Sequence, residues 1–316
     1  MNITLTQLRY ITAVDTHRNF VKAAESCHVT QPTLSMQIQR LEDQIGVKVF
    51  DRTRLPVIPT QIGIEIIEQA RIILNETAKI EEMIRAMKGT ISGQIKIGII
   101  PTLAPYIVPL FAPTLMKKYP EVNLSISEAT TAELSDMLQK EQIDCALMAS
   151  PIINDDQFQS KHLFYETFVG YVHPNNQAFT QNALSISDMK NSNVWLLNDG
   201  HCLRNQLISL CKETNDSETR LEYESGSLDS LIRMVDRNGG LTVLPELAVR
   251  DLSEKRKSKI RPFEGKAPGR AIKIYTHRSF FKESLINALV QSIKEILPEH
   301  LKTDKGKRII DAFENP

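Results

Sequence analysis

Apolar residues in the first fifty positions recur at helical spacing in three short runs. Leu5, Leu8, Ile11 and Ala13 share a face over residues 4–16, which predicts a first helix. "NFVKAAESCH" predicts a second, with Asn19 as its N-cap, and "VT" makes the turn that follows. "QPTLSMQIQRLEDQIG" predicts a third from Gln31 to Ile45, with Pro32 in its first turn and Gly46 at its end. Leu34, Ile38 and Leu41 form its buried stripe. Gln31, Thr33, Ser35, Gln37 and Gln39 lie opposite, all able to bond base edges or phosphates. In "VKVFDRTRLPVIPTQIG" the period shortens. Val47, Val49, Arg52, Arg54, Val57 and Pro59 read as a two-stranded wing with basic residues at its tip.

The next apolar series has a different character. Ile66, Ala70, Ile73, Thr77, Ile80, Ile84 and Met87 are spaced alternately four and three apart, an unbroken heptad seam. A single helix beside a small head cannot bury such a seam, so a homodimer through residues 61–88 is expected, with packing onto its own head as the alternative. Gly89 and the "GTISG" stretch end the helix as a hinge.

From Gln94 onward, apolar strands alternate with amphipathic helices. "QIKIGII", "VNLSISEA" and "IDCALMA" read as strands. "TLAPYIVPLFAPTLMKKYP" and "TAELSDMLQKEQ" read as helices. After "FYETFVGYVHP" a second set follows: "VWLLND", "RLEYESG", "SLDSLIRMVDRNGG" and "LTVLPELAV". "GRAIKIYTHR" then returns as a strand, and "FKESLINALVQSIKEIL" closes as a helix. This alternation predicts an α/β domain with a mainly parallel sheet, in two lobes joined by two crossovers, with a cleft between them. The expected organisation is a winged helix-turn-helix over 1–60, a linker helix and hinge over 61–90, a first lobe from 91–162 and 271–300, and a second from 163–270. The tail, 301–316, reads as mobile or as a capping helix.

Composition adds little. The chain has 316 residues, 41% hydrophobic and 24% charged, with a formal net charge of zero. Bulk charge therefore points to no partner. The first sixty residues carry 7 Lys and Arg against 5 Asp and Glu, a surplus of two that matters through its place on the wing. No signal peptide or membrane-spanning run is visible, so a cytoplasmic protein is expected. No phosphate-binding glycine loop, dinucleotide fingerprint or zinc spacing appears, and neither a cofactor nor a metal is expected.

The N-terminal residues carry a specific resemblance. Ala23-Ala24, the run Thr30-Gln31-Pro32-Thr33-Leu34-Ser35, Leu41-Glu42 and Phe50-Asp51-Arg52-Thr53 are similar to the winged-helix head of the LysR family of bacterial transcription regulators. The resemblance implies double-stranded DNA as a partner. Thr30, Gln31, Pro32, Thr33, Ser35 and Gln37 would lie at the major groove, and Arg52 would reach a phosphate or the minor groove. The C-terminal two thirds resemble the effector domain of the same family and periplasmic binding proteins.

Four cysteines remain. Cys145 lies among apolar neighbours and Cys27 inside the helical head, and both read as small core residues. Cys202 and Cys211 lie nine positions apart in "GHCLRNQLISLC", too wide for a C-x-x-C clamp. Leu203, Leu207 and Leu210 make the stripe of a short helix, which places Cys202 in its first turn. The helix N-terminus, Arg204 and His201 would all favour a thiolate there. Both thiols on one helix would have Cα atoms roughly 13 Å apart. A disulfide needs about 4.4–6.8 Å. Helix and disulfide would then exclude each other. From the residues alone, a redox switch, two packing cysteines and a metal site all stay open.

The segment also resembles that of the peroxide-sensing members of the LysR family, as do "IGIIPTLAPY", "EATTAEL" and "NGGLTVLPELAV". The resemblance implies that Cys202 is the peroxidatic and Cys211 the resolving thiol. Thr102, Thr131 and His201 would hold hydrogen peroxide, and Arg270 would stabilise the thiolate alongside Arg204. It further implies a disulfide switch of transcription, homotetramers, contact with RNA polymerase and resetting by a reductant such as glutaredoxin or thioredoxin. Two rivals are a LysR regulator that binds a metabolite in the cleft and a thiol peroxidase with a DNA head.

Overall fold

A computed structural model describes residues 2–87, 91–149, 157–190, 192–212, 226–278, 280 and 282–310. The chain divides into two units near Thr90.

In the first unit, α1 (Leu5–His17) starts with a capping box in which Thr4 and Gln7 satisfy each other's backbone amides. Asn19 accepts from the Val21 and Lys22 amides to start α2 (Phe20–Ser26). Thr30 caps α3 (Gln31–Ile45), Pro32 sits in its first turn, and Gly46 ends it at φ +76°. Leu34, Ile38 and Leu41 close over Leu8, Tyr10, Ile11, Val14, Ala23 and Ala24. The buried stripe of α1 is thus Leu8, Tyr10, Ile11 and Val14. Leu5, in the first turn and beyond the end of that stripe, is exposed. Cys27 is half-buried at the end of α2 rather than in the core. Strands β1 (Phe50–Asp51) and β2 (Ile58–Pro59) form the wing.

Helix α4 (Gln61–Met87) corrects part of the heptad reading. Ala70 is buried and Ile66 half-buried against their own head, so Ala70 is not available to a partner. The seam opens further along. Ile73, Ile80 and Ile84 are 46%, 59% and 52% exposed. Thr77 is half-buried, its hydroxyl donating to the Ile73 carbonyl. The side chain of Met87 lies outside the described residues.

In the second unit, β3 (Gly93–Ile99), α5 (Ala104–Lys118), β4 (Val122–Glu128), α6 (Thr131–Gln139) and β5 (Cys145–Met148) alternate as expected. β3 pairs in parallel with β4 and with β5, and Cys145 is fully buried. The long β6 (Phe158–Val172) leads into the second lobe. There α7 (Ile186–Lys190), α8 (Cys202–Lys212), α9 (Leu228–Asn238), β7 (Leu241–Pro245), α10 (Glu246–Val249), α11 (Glu254–Lys257) and β8 (Ile260–Arg261) follow. β9 (Ala267–His277) returns antiparallel to β6 and to β5, and α12 (Glu283–Ile296) closes the first lobe. The strand order is β4-β3-β5-β9-β6-β7. β6 and β9 are the two crossovers. Both run antiparallel to a neighbour, so the sheet is mixed, with β4, β3 and β5 of the first lobe parallel to one another. This is the two-lobed α/β architecture of the periplasmic-binding type.

Two expected elements differ. "VWLLND" makes a single bridge, Val194 to Leu241, instead of a strand. Side chains take the carbonyls that a neighbouring strand would bond: Thr242 donates to the Trp195 carbonyl at 2.7 Å and Arg204 to that of Leu197 at 2.9 Å. The tail is not a capping helix up to Ile310. After a 3₁₀ turn (Glu299–Lys302), β10 (Lys307–Ile309) adds to the sheet in parallel with β9. Of "RLEYESG", residues 220–225 lie outside the described residues, as do 311–316.

Candidate thiol site and nucleic-acid interface

On α3, Gln31, Pro32, Thr33 and Gln39 are exposed, and Ser35 and Gln37 half-buried. Thr30 and Thr33 share a hydrogen bond between hydroxyls at 2.9 Å, so Thr30 serves the helix start first. Arg52 departs from its expected role. Its guanidinium donates to the Ser35 hydroxyl at 3.2 Å, lies 3.4 Å from the Glu42 carboxylate and stacks over the Phe20 ring. It fastens the wing to α3 instead of reaching outward. Arg54, 69% exposed at the wing tip, is the freer cation, paired at 3.4 Å with Asp51. Glu42 was legible only as half of a motif. Its buried carboxylate accepts from the Val49 amide at 2.9 Å and the Phe50 amide at 3.3 Å, and so docks the wing.

Gly200 takes φ +93°, a left-handed backbone that favours glycine, immediately before α8. Cys202 is only 6% exposed, in the first turn of that helix. Leu203, Leu207 and Leu210 bury its other face in the second lobe's core. Cys211 belongs to the same helix, nine residues on, so the Cα atoms are about 13 Å apart.

The other expected site residues fall into two clusters. In the first, α6 meets the start of α8. Thr130 caps α6 through a capping box with Glu133, and a Cβ on Gly200 would lie 3.7 Å from the Thr130 methyl. His201 is buried. Burial lowers its imidazole below the ordinary value, against the opposing pull of the Glu133 carboxylate. The ring is therefore neutral near pH 7, a hydrogen-bond donor or acceptor and not a cation beside the thiol. The Thr131 hydroxyl is buried without a partner, a vacant donor at the same helix start.

In the second cluster, Arg270 is wholly buried on β9. Its guanidinium donates to the Thr102 hydroxyl at 2.8 Å and carbonyl at 3.0 Å, and pairs with Glu166 of β6 at 2.8 Å. Glu166 also accepts from the Leu247 amide at 3.0 Å. Complete burial raises the Glu166 carboxyl against the pull of Arg270. Tyr106 feels the same pair, and burial pushes its phenol up to about 12. Sequence reasoning missed Glu166. Its signal was a lone carboxylate inside the apolar strand "FYETFVG". Gly269 is required beside it, because a Cβ there would meet the Glu166 carbonyl oxygen at 2.5 Å.

Arg204 engages its own loop. Its Nε lies 2.8 Å from the Asp199 carboxylate, short of linear hydrogen-bond geometry, and its Nη1 donates to the Leu197 carbonyl. Asp199 offsets its charge, and its structural work is to fold the 197–204 loop.

Comparisons with known proteins follow this geometry. Residues 5–64 match the family described as bacterial regulatory helix-turn-helix protein, lysR family, and residues 88–298 match the LysR substrate binding domain. The chain belongs to the LysR family. It is 36% identical over 242 residues to a hydrogen peroxide-inducible genes activator of Pectobacterium carotovorum, covering 77% of this chain and 80% of that one. Among solved structures it is similar to a cysteine-to-aspartate variant of full-length OxyR from Pseudomonas aeruginosa, with TM-score 0.78, 31% identity and coverage of 94% and 99%. It also resembles a hydrogen peroxide-bound cysteine-to-serine variant of OxyR from Corynebacterium glutamicum, with TM-score 0.62, 25% identity and coverage of 94% and 93%. The fold and these relatives define a redox-sensing, DNA-binding transcription regulator. Among the described residues, no helix is long and apolar enough to cross a membrane.

Proposed function

We propose that this regulator senses hydrogen peroxide through Cys202 and records it as a Cys202–Cys211 disulfide. One observation carries the reading: a buried thiol in the first turn of α8, with a second cysteine on the same helix beyond bonding range. Thr102, Thr131 and His201 hold the peroxide. The unpartnered Thr131 hydroxyl and the neutral His201 imidazole supply hydrogen bonds, while Arg270 positions Thr102 and lends a buried positive charge. The Cys202 thiolate attacks one peroxide oxygen. The O–O bond breaks, and the departing hydroxide takes a proton to leave as water. The Cys211 thiol then attacks the sulfenic sulfur, forming the S–S bond and releasing a second water. A dithiol reductant, glutaredoxin or thioredoxin, returns both thiols.

Because α8 keeps the cysteines apart, the disulfide forces the helix to give way and the lobe to repack. Gln31, Pro32, Thr33, Ser35 and Gln37 face the major groove of a two-fold operator, with Thr30 and Arg52 holding the recognition helix and wing in place. Ile73, Thr77, Ile80, Ile84 and Met87 pair the subunits. The working assembly is a cytoplasmic homotetramer that contacts RNA polymerase. Thiol mapping by mass spectrometry before and after micromolar peroxide tests this, with a Cys202–Cys211 bond as the expected product. If Cys202→Ser still changed its DNA footprint on peroxide treatment, a cleft-bound metabolite would be the better reading.

A further inference from the structure

We infer that the C-terminal strand is a latch on α8. Resting on the thiol-switch reading above, this makes Gln206 and Ile310 positioning residues for the step that joins Cys202 to Cys211. The tail from Glu299 to Ile310 lies beyond the matched substrate binding domain, which ends at residue 298.

The tail is firmly seated. β10 runs beside β9 with Ile309 opposite Gly269, and the Ile310 amide donates to the Gly269 carbonyl at 2.8 Å. Lys307 reaches the carbonyls of Tyr165 at 3.2 Å, Thr303 at 2.7 Å and His300. His300 pairs with Glu246, and Leu301 is buried. Ile310 is buried in the core cluster that holds Leu203, Leu207 and Leu210 of α8. The wholly buried Gln206 donates from Nε2 to the Ile310 carbonyl at 2.9 Å, while its Oε1 has no partner. Among the described residues, that side chain's one hydrogen bond is to the tail.

Gln206 stands four residues after Cys202 and five before Cys211. The thiols cannot meet without unwinding the helix between them, and unwinding there displaces Gln206 and Leu207 from the tail. The latch thus opposes disulfide formation, but it makes no contact that the attack of the Cys202 thiolate on peroxide must break. One buried neutral hydrogen bond corresponds to about fivefold in an equilibrium, and the Ile310 side chain adds about tenfold.

The test uses the full chain, comparing wild type with Ile310→Ala and with deletion of residues 306–316. Sulfenic acid is trapped with a dimedone probe to give the second-order peroxide rate. Quenched-flow thiol alkylation gives the first-order rate of disulfide closure. The latch predicts a peroxide rate within about twofold of wild type. It predicts disulfide closure about five- to tenfold faster, and a thiol–disulfide equilibrium in glutathione buffer shifted toward disulfide. Unchanged or slower closure in Ile310→Ala overturns it. Val249→Ala, which loosens the same core from α10, separates latch from general softening: equal acceleration there also overturns it. If wild-type Cys202 does not oxidise, the peroxide reading fails instead. The latch is then read by hydrogen exchange of the α8 amides, faster in Ile310→Ala if it holds and unchanged if it does not.

Discussion

Arg270 grips Thr102 twice, donating to its hydroxyl and to its carbonyl, while its remaining face pairs with Glu166. A threonine on the loop before α5 is thereby fixed by a cation on a crossover strand 168 residues away. Both members of the ion pair are fully buried, so neither is dispensable alone.

Removing one charge leaves the other stranded. Arg270→Met is expected to destabilise the effector domain by about 3–5 kcal/mol, and adding Glu166→Leu should recover much of that loss. Urea melts of the two variants check this. Thr102→Val keeps the pair but leaves a buried Arg270 N–H without its hydroxyl acceptor, so the melt should lose about 1–3 kcal/mol, less than for Arg270→Met. On the proposed peroxide site, the peroxide rate should fall as well.

Glu42 makes a prediction for the head. Glu42→Gln weakens charge-assisted bonds to the Val49 and Phe50 amides and to Arg52, at a cost of about 1.5–3 kcal/mol. Wing and recognition helix then lose their fixed relation. DNA titrations should show weaker binding, with hydrogen exchange at Val49 and Phe50 rising together.

On the proposed subunit pairing, the linker helix separates two roles along one seam. Ile80→Glu, at an exposed position, should abolish dimers in sedimentation while leaving the head folded. Ala70→Glu places a charge in the head's own core and should unfold it, whatever the oligomeric state.

His201 gives a pH dependence. Burial lowers its imidazole in the folded state, so the unfolded chain binds the proton more readily. The stability it contributes is complete above the unfolded value of about 6.5, and is lost as pH falls through that value toward the lower folded one. Thermal melts should therefore lose stability on acidification below about pH 6.5. His201→Gln should flatten that portion of the curve.

Local spacing made much of this molecule legible. The three head helices, the linker helix, the alternating effector elements and the placement of Cys202 and Cys211 on one helix all follow from residues within a few turns of each other. The caps Asn19, Pro32 and Gly46 stand where composition put them. Periodicity could not say which surface would cover a stripe. The heptad runs unbroken from Ile66, yet its first positions belong to the head, because α1 and α4 pack together there.

Charged residues were read least well, for a related reason. Arg52 and Arg204 stand beside a recognition helix and a thiol in the sequence, which suggested outward and thiolate-directed roles. In the fold, Glu42 and Asp199 engage them first, since a guanidinium settles on the nearest carboxylate its geometry allows. Two buried contacts, Glu166 with Arg270 and Gln206 with Ile310, each join residues 104 positions apart. Hydrophobic period, caps and thiol spacing are properties of neighbouring residues and are written in the chain. The pairing of β9 with β6 and with β10 arises only when distant strands meet, and that meeting places a buried charge pair beside Thr102 and a tail against α8.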